Sequence, residues 1–60
     1  MDKIISEISN LLDEINSSIN KDVQAGNFDS AIMLSTVFAD LAEAREILFQ
    51  AKEKLSKWGL

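Results

Sequence analysis

The sequence predicts an all-α fold: an antiparallel helical hairpin, helices at about residues 3–24 and 28–57, expected to pair with a second copy as a four-helix bundle. Three observations point there. Apolar residues recur at intervals of three and four through both halves of the chain. No proline and only 2 glycines interrupt the 60 residues, and a single strong break, "QAGNFDSA", divides them into one hairpin domain, 1–60. Ala, Leu, Glu and Lys, all good helix formers, recur throughout, and without proline no residue lacks its backbone donor.

In the first helix, Ile4, Ile5, Ile8, Leu11, Leu12, Ile15, Ile19 and Val23 fall, at 100° per residue, within a stripe roughly 120° wide, as expected for a helix packed on one side. Asp2 is the expected N-cap. The weak point is "NSSIN", Asn16 to Asn20, where short polar side chains compete with the helical backbone for hydrogen bonds; Ile15 and Ile19 are expected to hold it helical.

At the break, Gly26 suits the left-handed conformation past a helix end, Asn27 can cap the next helix, and the charge of Asp29 suits the positive end of that helix's dipole. A connection of about two to four residues forces the helices to be antiparallel neighbours. The residues "AGNFDSAI" resemble the turn between the two helices of a tetratricopeptide repeat. Ile19 and Asp22 stand where that repeat carries a small glycine and a large aromatic, and no second copy follows, so the resemblance implies shared hairpin chemistry and no solenoid.

The second helix carries more apolar surface than one partner can cover. Leu34, Val37, Leu41, Ala44, Leu48, Ala51, Leu55 and Trp58 follow an unbroken 3-4 spacing. This row is expected to pack on the first helix, with Leu34, Val37, Leu41, Ala44, Leu48, Ala51 and Leu55 meeting Ile4, Ile8, Leu11, Leu12, Ile15 and Ile19. Bending the chain at Gly26 brings Ile8 near Ala44 and Ile4 or Ile5 near Leu48. A second row, Phe28, Ala31, Ile32, Phe38, Ala42 and Phe49, lies about 100° around the axis. Soluble monomers avoid contiguous exposed patches of that kind.

The expected closure is a homodimer whose interface uses Phe28, Ile32, Phe38, Ala42, Arg45, Phe49 and Lys52, twofold symmetry being the commonest solution. Arg45 and Lys52 interrupt the apolar arc. Either their stems lie on apolar surface while the heads reach water, or Arg45 forms an inter-helix ion pair, with Glu7 or a partner-chain carboxylate. Trp58 extends the seam past the shorter helix, as packing or as a possible anchor for another protein. The architecture resembles that of the plasmid copy-number regulator Rop, a dimer of helical hairpins. No sequence match accompanies it, so Rop's RNA binding does not transfer.

Chemistry has little to work with. With no His, Cys or Tyr, the usual nucleophile and base arrangements are missing, and neither a cofactor nor a metal site is expected. The adjacent Asp13 and Glu14 point to different azimuths; Asp40, Glu43 and Glu46 form a wet polar face of the second helix.

The net charge of −4 is of the wrong sign for a phosphate-backbone binder. Residues 1–30 hold 2 basic and 6 acidic side chains, residues 31–60 hold 4 of each. The only basic concentration is "KEKLSKW", whose lysines suit the helix dipole and can answer Asp2 and Glu7. No stretch approaches about 18 apolar residues and no leader pattern opens the chain, so the expectation is a cytoplasmic protein without membrane contact. The expected function is a non-enzymatic interaction or regulatory module, its partners itself and a larger protein. The alternatives are a nucleic-acid regulator using paired basic ends, or a structural or designed bundle without a partner.

Overall fold

A computed structural model describes residues 1–59. It contains two helices, α1 (Asp2–Ala25) and α2 (Phe28–Lys57), packed against each other as an antiparallel hairpin. Each boundary has a local cause. Gly26 takes φ 78°, ψ 13°, its N–H donates to the Val23 carbonyl at 3.2 Å, and the Asn27 N–H donates to the Asp22 carbonyl at 2.8 Å. These are the two reversed bonds of a Schellman motif, and they satisfy carbonyls that the helix end leaves open. The Ser30 hydroxyl then donates to Asp22 Oδ2 at 2.6 Å, tying the first turn of α2 to the last turn of α1.

Two capping expectations are corrected. Met1 occupies the N-cap position of α1 and Asp2 is its first helical residue. Asn27 stands at the N-cap of α2, but with φ −85° and ψ 66° its side chain makes no capping bond. A capping side chain works from the β region of backbone space, and Asn27's backbone is held elsewhere by the Schellman bond. At the far end Trp58 caps α2 and Gly59 turns to φ 79°, with its N–H on the Ser56 carbonyl at 3.2 Å. "NSSIN" stays helical because Asn16, Ser17, Ser18 and Asn20 are exposed, their side chains solvated, while Ile19 is half-buried.

Side-chain pairs fix the register. Arg45 lies level with Ser9 and Lys52 with Asp2, so Ile5 sits level with Phe49 and Ile8 with Glu46, one to two residues further along α2 than a bend at Gly26 predicts. With 30 residues against 24, α2 is about 9 Å longer and its last turns run beyond the start of α1.

The core is thin. Only Ile5, Leu12 and Ala31 are buried among the described residues. The Cα extents are 50 × 16 × 9 Å, a slab one helix thick, and a single layer has nothing on its second face to close a core. The radius of gyration, 14.7 Å, exceeds the roughly 10 Å of a compact chain of this length.

Candidate functional site

Chemistry-bearing clusters are sparse. Among the described residues no group of three or more His, Cys, Asp or Glu converges as a metal set would, and no helix is long and apolar enough to cross a membrane. Two shallow depressions mark the surface, one at the turn, lined by Gly26 to Ser30, the other on α2 beside Phe49, Lys52, Glu53, Ser56 and Lys57. Both are open to solvent, whereas small-molecule sites bury most of their ligand's surface. What the structure offers instead is surface, and the two flanks of the slab differ.

One flank carries the polar contacts. Arg45 is half-buried and its Nη1 donates to Ser9 Oγ at 3.2 Å. Lys52 forms an ion pair with Asp2 whose members remain substantially exposed. The hydrogen bond from Lys52, and then its positive charge, hold the Asp2 carboxyl below the ordinary value of 3.8. At 100° per residue, Asp13 and Asn20 of α1 project to this same flank as Asp2 and Ser9. Phe28, Ala42 and Phe49 of α2 face the same way. Aromatic and apolar groups on α2 therefore stand beside a polar α1 edge.

The opposite flank is mainly apolar on both helices, with Ser18 and Asp22 of α1 and Asp40 of α2 as its polar members. Ile4 and Leu11 lie about 100° from the Ile5–Leu12 line, away from Ser9, and Ile8 and Ile15 bridge the gap half-buried. On α2, Val37, Ala44 and Ala51 turn to this side. Ile4, Leu11 and Val37 are 51%, 42% and 42% exposed.

The sequence expectation placed Ile4, Leu11 and Val37 between the helices, so these three are corrected to the surface. The remaining members of that set, Ile8, Leu12, Ile15, Ile19, Leu34, Leu41, Ala44, Leu48, Ala51 and Leu55, are buried or half-buried. The physical reason is rotational. Two 3-4 seams share Leu34, Leu41, Leu48 and Leu55, one flanked by Val37, Ala44 and Ala51, the other by Ala31, Phe38, Arg45 and Lys52. The chain turns the second toward α1, which buries Ala31 and part of Phe38.

Arg45 and Lys52, expected at a dimer contact, consequently find their polar partners within the chain, Arg45 on Ser9 in place of Glu7. Their long stems tolerate the interface edge while the charged heads reach a partner or water. Of the other residues expected at a dimer contact, Phe28, Ile32 and Phe49 are exposed, and Phe38 and Ala42 half-buried. Trp58, past the end of α1, is 75% exposed. Ile5, expected in the packed stripe of α1 and near Leu48, is buried, and so is Ala31, expected in the second apolar row, away from α1. The azimuth of Ile5, between Ser9 and Leu12, and the small volume of Ala31 at the tight end of the hairpin were the available signals. No family model, no curated protein and no solved structure matches the chain.

Proposed function

We propose that the chain is a non-enzymatic protein–protein interaction module that works as a homodimer, two hairpins closing into a four-helix bundle. The observation that carries this is surface area. The hairpin exposes 4626 Å², whereas a compact monomer of 6.7 kDa exposes about 3,900 Å². The surplus, about 700 Å², is close to the roughly 800 Å² that each partner gives to a standard interface. Large apolar residues stand exposed along both helices, among them Ile4, Leu11, Val37, Phe28, Ile32 and Phe49. A second copy supplies the missing layer at no cost in sequence complexity, and twofold pairing is the commonest way to do so.

Sedimentation equilibrium across a range from about 1 to 200 µM tests it, a span that covers typical weak and moderate affinities. A mass twice 6.7 kDa at the upper concentrations is the expected result. A monomer throughout removes the proposal. The nucleic-acid alternative loses ground on one point: Lys52, one of three lysines in the basic segment, is engaged by Asp2.

A further inference from the structure

We propose that the second copy docks on the flank opposite the Ser9–Arg45 and Asp2–Lys52 contacts, on the face made by Ile4, Leu11 and Ile15 of α1 with Val37, Ala44 and Ala51 of α2. This rests on the homodimer reading and specifies its interface. The row containing Phe28, Phe38, Ala42 and Phe49 is the competing choice, and composition of the neighbouring helix separates the two.

On the Phe49 flank a docking chain would cover Asp2, Ser9, Asp13 and Asn20 of α1 together with the Arg45 and Lys52 heads, whose present partners lie at the edge of the hairpin. Burying those groups without new partners is costly, most of all for the charges. On the Ile4–Leu11 flank, the docking chain meets mainly aliphatic side chains from both helices; of the polar groups on that side, Asp22 already accepts from Ser30 within the chain, and Ser18 and Asp40 are exposed.

Shape agrees with polarity. Toward the open end of the hairpin the face has large residues, Ile4 and Leu11, on α1 and small ones, Ala44 and Ala51, on α2. By the register that Arg45 and Lys52 set, Ala44 lies within one residue of the level of Leu11, and Ala51 within one residue of the level of Ile4. A shallow step of this kind lets a second helix pair seat its large residues over the alanines, the close approach that small residues in a heptad seam permit. The half-buried state of Ile8, Ile15, Ala44 and Ala51 makes the floor of the face continuous with the intrachain core. Docking there would extend the core that Ile5 and Leu12 begin.

The test uses the full chain. Mixed samples of 13C-labelled and unlabelled protein are examined by isotope-filtered NOE spectroscopy, and two double variants, Ile4→Gln with Leu11→Gln and Phe28→Gln with Phe49→Gln, are measured by sedimentation. Intermolecular NOEs at the Ile4, Leu11 and Val37 methyls are expected, with the first variant weakening the dimer at least ~100-fold and the second by less than ~10-fold. The NOE measurement on the unaltered chain holds even where a variant unfolds. A dimer whose intermolecular NOEs fall on Phe28, Ile32 and Phe49 overturns this interface and leaves the homodimer standing. A monomeric wild-type chain overturns both.

Discussion

At the residue scale, Gly26 carries the hairpin's direction. Its φ of 78° lies where an L side chain is strained, and nothing stands within 4 Å of a Cβ placed there, so the cost of a side chain is purely conformational. Gly26→Ala is expected to destabilise the chain by about 1–2 kcal/mol and Gly26→Asn by less, read from urea midpoints. Asp2 gives a pH signature. Its carboxyl is held below 3.8 by Lys52, so the ion pair contributes fully above the ordinary value and its contribution is lost as pH falls through the lowered one. Asp2→Asn should therefore be less stable than wild type near pH 7, with the difference gone near pH 2 and reduced in about 1 M salt. Both groups are substantially exposed, so the effect is small. Trp58→Ala should leave the stability of the isolated hairpin within about 0.5 kcal/mol, because the ring is mostly in water; a larger loss would place it in a dimer core.

At the element scale, the two helices differ in what their patterns specify. The α1 stripe has one reading, and the helix forms as expected with Leu12 at its centre, 3% exposed. Leu12→Ala should cost about 2–5 kcal/mol and, in a chain this small, remove cooperative unfolding by circular dichroism. Apolar residues spread much farther around α2, and two seams of identical spacing compete for α1. The helices, the turn and the antiparallel pairing were legible because capping chemistry and 3-4 periodicity are local. The face of α2 turned inward was not. Arg45 and Lys52 look too polar for a packed seam, and their fitness there depends on Ser9 and Asp2, residues 36 and 50 positions away in the chain. Arg45→Leu is accordingly expected to keep the hairpin folded, since the half-buried Arg45 loses only its bond to Ser9, which is itself only partly buried.

At the scale of the whole molecule, a slab with three buried residues among those described is short of core for a freestanding domain, and association adds stability by mass action. The melting temperature should rise with protein concentration, and it should do so in the Phe28→Gln/Phe49→Gln variant but not in Ile4→Gln/Leu11→Gln. The sequence alone determined that the chain is two helices joined at Gly26, that they run antiparallel, and that their apolar surface exceeds what one pairing can hide, since each of these follows from local backbone preference and counting. Only the tertiary structure decided which apolar surface is left over. Rotating α2 by less than one residue's turn about its axis exchanges Val37, Ala44 and Ala51 for Ala31, Phe38, Arg45 and Lys52 at the interface. That rotation is set by contacts across the hairpin, which no periodicity along a single helix records.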